Sequence, residues 1–139
     1  MNGKPDQKCV IILAEGLPPG FAANASAVLA ITIGMKNPEI VAEDLQDGSG
    51  IFHAGLVNIP VPLLQASPTD LKNLRDLAGE NKEVLVIDFS EPARKARTFE
   101  AYRELLALTS NEDLSYVGIA LLGPKKLISS MTSSFRLFA

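Results

Sequence analysis

The sequence predicts an α/β fold in which a mixed, four-stranded sheet is covered by helices on both faces. Short, continuous apolar runs alternate four times with longer segments whose apolar residues recur at helical spacing. The chain has 139 residues, of which 47% are hydrophobic and 21% charged, so it fits one domain with a buried core. We therefore expect a three-layer α/β/α domain over residues 1–139, with right-handed crossovers wherever neighbouring strands run parallel.

The first predicted elements are a buried strand and an apolar helix. Residues 8–14 form an apolar run that follows a polar segment, which predicts a flexible tail over residues 1–7 and then a strand buried on both faces. A loop with two prolines interrupts this run. Residues 21–35 are mostly Ala, Val, Leu and Ile, and they predict a helix.

The first turns of this helix consist almost entirely of small residues. Small side chains let a helix backbone lie close to a sheet or to a second helix. We therefore expect a tight packing contact in the group Ala22, Ala23, Ala25, Ser26 and Ala27, which enlargement of Ala23 or Ala27 to leucine would test.

The middle of the chain is rich in turn residues. Residues 39–55 contain the segment DGSG at 47–50, for which the sequence predicts a loop without defining regular structure. Residues 56–64 predict a strand, and their two prolines place it at the edge of the sheet. Because apolar edges need covering, we expect the chain to self-associate there as a homodimer.

The second half of the chain alternates helices and strands. Ser67 is a predicted cap for a helix over residues 67–78, and residues 84–89 predict a third strand, which we expect to be the most buried. Residues 92–108 predict one helix with a cap at Ser90. Residues 116–122 predict a fourth strand, and a last helix then begins near residue 124.

Composition also limits the classes of function. The single cysteine, Cys9, forms no internal disulfide, and the first residues lack the apolar core of a signal peptide, so we expect a cytoplasmic protein. The longest apolar stretch, 22–35, is too short to span a bilayer. A net charge of −3 gives no overall attraction to phosphate, which disfavours nucleic-acid binding.

His53 is the only histidine and lies near the turn at residues 47–50. A hydrolytic arrangement with Ser49 and Asp47 is one interpretation, and an exposed or backbone-bonded histidine is the other. A metal site is not predicted, because the sequence contains neither a second histidine nor a cysteine pair. No cofactor is predicted.

Asp88 and Asn24 are polar residues near the predicted ligand-binding edge of the sheet. Asp88 ends a strand, where ligands bind in open α/β sheets, although it could instead cap the following turn. Asn24 interrupts an alanine-rich helical turn and needs either a ligand or a structural hydrogen bond to the preceding loop.

Lys125 and Lys126 are predicted to lie in the first turn of the last helix, where positive charge opposes the helix dipole. A small anionic ligand would relieve this conflict. The alternative is that both lysines are simply solvated.

Three blocks of the chain, residues 8–30, 63–89 and 118–138, resemble the peptidyl-tRNA hydrolase 2 superfamily. The chain is more similar still to a bacterial family known only as domain of unknown function 2000. The segments that carry this likeness are KCVIIL at 8–13, GFAAN at 20–24, GIALLGPKKL at 118–127 and SFRL at 134–137. The resemblance implies a peptidyl-tRNA hydrolase 2-like fold, and its members tend to dimerise.

The functional residues of the hydrolases transfer only in part. The resemblance places Asn24 at their Gln, Ser26 at their following Ser or Ala, and Asp88 at their strand-ending Asp. Their loop lysines are replaced by Leu-Pro-Pro at 17–19, and their His by Ala27. We therefore expect a ligand- or partner-binding protein without peptidyl-tRNA hydrolase activity, with Asn24, Ser26, His53 and Asp88 as candidate ligand contacts. A divergent hydrolase of ester or amide bonds is the alternative, for which no catalytic residue is assigned.

Overall fold

A mixed sheet forms the centre of the fold in the computed structural model, which describes residues 6–139. Its strand order is β5-β6-β1-β4-β7, and two further short strands, β2 and β3, pair separately as a hairpin. The strands are β1 Gln7–Ala14, β2 Leu45–Gln46, β3 Phe52–His53, β4 Leu63–Ala66, β5 Leu85–Ser90, β6 Tyr116–Pro124 and β7 Arg136–Leu137.

Helices cover both faces of the sheet and confirm the predicted three-layer arrangement. Helix α1 packs on one face, and α2 and α5 pack on the other. The α-helices are α1 Pro19–Lys36, α2 Pro68–Gly79, α3 Glu91–Lys95, α4 Phe99–Ala107 and α5 Lys125–Thr132, and short 3₁₀ turns occupy Pro38–Ile40 and Asn111–Asp113.

The apolar run of β1 is continuous because both of its faces are buried. Cys9, Ile11 and Leu13 point into the layer beneath α1. Val10 and Ile12 point into the layer beneath α2 and α5. Strand β1 lies in the centre of the sheet and is covered on both faces, which is why no polar residue alternates with its apolar ones.

Three helices begin at the same edge of the sheet, as the directions of the strands show. Strand β1 runs parallel to β4 and antiparallel to β6, and β6 runs antiparallel to β5. The carboxyl ends of β1, β4 and β5 therefore lie at the same edge. Helices α1, α2 and α3 start directly beyond these ends, which is where ligands bind in open α/β sheets.

The prediction of four strands was wrong, because the two-residue strand β7 extends the sheet beyond β4. The strand predicted over residues 56–64 is confined to Leu63–Ala66, and it is not an edge strand. Pro60 and Pro62 still lie beside β1, where their carbonyl oxygens accept hydrogen bonds from the N–H groups of Cys9 and Ile11. Proline lacks an N–H group, so these residues accept bonds from β1 but donate none.

Strand β5 was predicted to be the most buried strand, yet it lies at the edge of the sheet and is only partly buried. The most buried strands are β1 and β6. The predicted helix 92–108 is divided into α3 and α4, and Thr98 caps α4 by accepting a hydrogen bond from the N–H of Ala101 at 3.1 Å. Ser90 makes no capping hydrogen bond.

The predictions for the cap of α2 and for the first residues of the chain have different outcomes. Ser67 caps α2 as predicted, accepting a hydrogen bond from the N–H of Asp70 at 3.1 Å. Gln7 was predicted to belong to a flexible tail over residues 1–7, but it begins β1; residues 1–5 of that predicted tail lie outside the described part of the chain. No helix within residues 6–139 combines the length and apolar character needed to cross a membrane.

Candidate functional site

Asp88 lies on β5 and forms an ion pair with Arg75 of α2. The Nε of Arg75 donates a hydrogen bond to the Oδ2 of Asp88 at 3.1 Å, and both side chains are about one quarter exposed. This pairing replaces the predicted alternative in which Asp88 caps the following turn. The carboxylate of Asp88 therefore points to the face of the sheet that α2 covers.

Two buried hydroxyl groups lie near this ion pair. Ser90 and Tyr116 are opposite one another in the β5–β6 ladder, and neither hydroxyl has a hydrogen-bond partner among residues 6–139. Burial raises the pKa of Tyr116, and the negative charge of Asp88 raises it further. The Tyr116 hydroxyl therefore stays protonated at neutral pH, and this region offers hydrogen-bond donors rather than an activated nucleophile.

Asn24 and Ser26 lie on α1, on the opposite side of the sheet from Asp88. Asn24 is exposed, and it makes no hydrogen bond to the preceding loop within the described residues. The hydroxyl of Ser26 donates to the carbonyl oxygen of Ala22 at 2.9 Å. The sheet thus separates two of the residues that the hydrolase resemblance had grouped together.

His53 lies in the β2–β3 hairpin and is paired with Asp47. Its Nε2 is 2.8 Å from the Oδ2 of Asp47, and it acts as the donor because a carboxylate only accepts. The Oδ1 of Asp47 accepts hydrogen bonds from the N–H groups of Ser49 and Ile51 at 2.8 and 3.0 Å. No hydrogen bond joins the Ser49 hydroxyl to His53 in the described chain, so these contacts stabilise the turn without forming a catalytic triad.

The hairpin is also not packed against α1, which carries Asn24, in the described part of the chain. The structure therefore brings Asp47 and His53 together, and separately Arg75 and Asp88, but does not bring Asn24, His53 and Asp88 into one site.

The hydrogen bonds to Asp47 predict a pH dependence of the hairpin. The His53 contact, followed by the bonds from the backbone, lowers the pKa of Asp47 below its ordinary value. A lowered pKa means that the carboxylate stabilises the turn fully above the unfolded pKa, and that this support is lost as the pH falls below about 4. We expect the amide proton shifts of Ser49 and Ile51 in NMR spectra to titrate below the ordinary aspartate range.

An Asp47→Asn variant provides the control for this titration, because its side chain still accepts a hydrogen bond but carries no charge. The variant should lose the inflection at both amides. An inflection at or above the ordinary aspartate pKa in the unmodified protein would contradict the assignment.

Lys125 and Lys126 are exposed at the beginning of α5, as predicted. The N–H of Lys125 donates to the carbonyl oxygen of Asp6 at 2.9 Å, and the Nζ of Lys8 donates to the hydroxyl of Ser129 at 3.1 Å. Asp6, Ser129 and the two lysines of α5 border a cavity of about 860 Å³. Binding of a small anion there stays a prediction from the sequence.

Neither a metal site nor a reactive thiol is evident within residues 6–139. No cluster of three or more His, Cys, Asp or Glu side chains that could hold a metal occurs in this part of the chain. Burial raises the pKa of the Cys9 thiol to about 11. Cys9 is therefore protonated at neutral pH and is a packed core residue rather than a nucleophile.

The outer face of α1 is an exposed apolar surface that the sequence-based reasoning missed. We define it by seven exposed residues whose side chains point away from the sheet: Ala23, Asn24, Ala27, Val28, Ala30, Ile31 and Met35. Val28, Ile31 and Met35 are 45%, 71% and 82% exposed. The absence of any charged residue from 17 to 35 was the available signal, because a helix that covers one face of a sheet normally carries charge on its other side.

The fold defines a three-layer α/β domain, and its family follows from comparison with known proteins. The family model described as "Protein of unknown function (DUF2000)" matches residues 7–139, and the chain belongs to this family. A solved structure of a protein of unknown function from Agrobacterium tumefaciens has a TM-score of 0.86 and 23% sequence identity, covering 96% of this chain and 98% of that one. At this identity the likeness shows the fold alone. A search of curated proteins gave no significant match.

Proposed function

We propose that the protein is a binding protein that acts through the outer face of α1, on a peptidyl-tRNA hydrolase 2-like scaffold that has no hydrolase activity. The observation that carries the proposal is the exposure of Val28, Ile31 and Met35 on one uncharged helix. A solvated helix face would be expected to carry Lys, Glu or Arg.

The size of the apolar patch supports this function. The exposed part of the outer face of α1 amounts to roughly 500 Å², which is near the upper limit for a single apolar patch on a monomeric protein. Patches of this size are often functional, and protein or membrane contacts are among their roles. A singly exposed apolar residue such as Leu77 needs no such explanation. A second group of exposed apolar side chains lies in segment 41–57 and consists of Val41, Leu45, Ile51, Phe52, Leu56 and Val57.

The polar residues favour binding over hydrolysis. A rebuilt site for ester or amide hydrolysis would need a nucleophile within hydrogen-bond reach of a base. The only histidine is instead paired with Asp47 in an exposed hairpin, and Asp88 is paired with Arg75. The divergent hydrolase therefore remains the weaker alternative.

A photo-crosslinking amino acid at position 31 tests the proposed binding surface in cells that naturally produce the protein. We expect irradiation to give a covalent adduct of defined mass at this position, because Ile31 lies at the centre of the outer face of α1. The matched control is the same amino acid at Leu108, which is also highly exposed but lies at the end of α4. Adducts at neither position, or the same adducts at both, would contradict the proposal.

A further inference from the structure

We infer that residues 41–57, which we call the arm, form a second interaction surface, and that this arm binds an apolar segment of another protein that is flanked by lysine or arginine. The inference does not depend on the outer face of α1, because neither β2 nor β3 packs against that helix in the described part of the chain. Three features support it: the way in which the arm is held, the exposure of its apolar side chains and the sign of its charge.

The arm is held by its own backbone hydrogen bonds and by its base. The N–H of Ala42 donates to the carbonyl oxygen of Leu56 at 2.8 Å, and β2 and β3 continue this antiparallel ladder towards the turn at 47–50. Neither strand packs extensively on another element of the described chain. The base is anchored, because Ile40 and Ile59 contact the core beneath α1. The arm therefore projects from a fixed base.

The apolar side chains of the arm are exposed beyond this base. Phe52 is 68% exposed and Leu56 is 81% exposed. Over both faces of the arm, its exposed apolar side chains present roughly 600 Å², as much as the largest apolar patch on a typical monomeric protein. A two-stranded hairpin has little stability of its own in water, and side chains that stay in water add none by burial. Contact with a partner accounts for their apolar character.

The charge of the arm defines the chemistry of that partner. No lysine or arginine occurs from residue 37 to residue 71. The arm and its base carry four exposed carboxylates, which are those of Glu39, Glu43, Asp44 and Asp47. Basic side chains of a partner are attracted to such a group and are steered towards it, whereas nucleic acids and anionic lipid surfaces are repelled. The surface therefore fits an apolar protein segment with basic residues beside it.

Selection of random peptides displayed on phage, with the purified full-length chain as the target, tests the inference. We expect the enriched peptides to combine apolar residues with lysine or arginine, and a synthetic copy of the most enriched peptide to bind in a fluorescence anisotropy assay. Phe52→Ser should weaken this binding by about tenfold or more, because it removes a large apolar contact. The matched control is Phe99→Ser on α4, where the phenylalanine is 66% exposed, and it should change binding by less than about twofold.

A charge reversal tests the electrostatic part of the inference. Glu43→Lys should weaken binding of the same peptide by about threefold or more at low salt. Glu104→Lys makes the same change of net charge at an exposed position of α4, and it should change binding by less than about twofold. Added salt should weaken binding to the unmodified protein more than binding to Glu43→Lys. Circular dichroism spectra should show that all the variants are folded.

The inference would be overturned by the absence of enriched peptides, by enriched peptides without basic residues, or by binding that Phe52→Ser or Glu43→Lys leaves unchanged. Binding that is lost in Ile31→Ser and kept in Phe52→Ser would place the peptide on the outer face of α1, so the proposed function would stand and the arm would be excluded.

Two further measurements test other occupants of the arm. Co-sedimentation with phosphatidylcholine vesicles that Phe52→Ser abolishes would assign the arm to a membrane. A dimer in sedimentation equilibrium that Phe52→Ser dissociates would assign it to a second copy of the chain. Either result would contradict a protein partner with basic residues, and we expect neither.

Discussion

Replacing Ala25 with leucine is expected to destabilise the protein by roughly 1 to 3 kcal/mol or more. Ala25 is 0% exposed and packs, with Leu29 and Ile33, against the β1 and β6 side chains of the same sheet face. Interiors of this kind are close-packed, so three additional carbon atoms force side chains off their preferred rotamers or move the backbone. Denaturation in urea, monitored by circular dichroism, measures the change in free energy of unfolding.

The matched control is Ala27→Leu, two residues further along the same helix. Ala27 is exposed on the outer face of α1, so the added atoms meet solvent and the change should stay within about 0.5 kcal/mol. Both variants are compared in the same buffer and at the same protein concentration. Equal losses at the two positions would mean that α1 is rotated relative to the sheet.

The burial of the alanines of α1 also shows which part of the sequence-based expectation for this helix was right. The tight contact was expected within the group Ala22, Ala23, Ala25, Ser26 and Ala27. Ala22 and Ala25 are buried against the sheet, whereas Ala23 and Ala27 are exposed. The helix is apolar around its whole circumference, so no contrast between polar and apolar sides indicates which residues face the sheet. The existence of the helix was therefore predictable, and its rotation was not.

For the strands, too, the sequence predicted which segments are strands better than it predicted their positions in the sheet. The central strands β1 and β6 were predicted within about two residues, because burial on both faces requires a continuous apolar run. The sequence of β5 has the same appearance, but position in a sheet depends on pairing with distant segments. Strand β7 has only two residues and depends on β4 for its definition, so no local pattern indicated it.

Candidate site residues were predictable as residue types but not as a group. The pairing of Asp47 with His53 follows from a turn six residues long, and the sequence had already placed them together. The ion pair of Asp88 with Arg75 requires knowledge of which face of β5 carries each side chain and which helix covers that face. The resemblance to the hydrolases could not supply that information, because it compares residue types along the chain.

In an assay of peptidyl-tRNA hydrolysis, we predict that the protein gives a rate indistinguishable from that of the uncatalysed reaction. The resemblance assigns Asn24 and Asp88 to a hydrolytic site, yet these residues lie on opposite sides of the sheet. The loop after β1 has Leu-Pro-Pro at 17–19, so it supplies no cation for a phosphate group, and Ala27 supplies no base. Asp88 is in addition neutralised by Arg75 at 3.1 Å.

A genuine peptidyl-tRNA hydrolase 2 enzyme, assayed in the same buffer, provides the positive control. The variants Asn24→Ala and Asp88→Asn test whether any residual turnover belongs to this chain, and Asp76→Asn is a matched control because Asp76 is a more exposed carboxylate paired with Lys72. A contaminating enzyme would give turnover that none of the three variants changes. Turnover comparable with the positive control, lost in Asn24→Ala or Asp88→Asn and retained in Asp76→Asn, would show that the scaffold has kept its hydrolytic site despite the separation of these residues by the sheet.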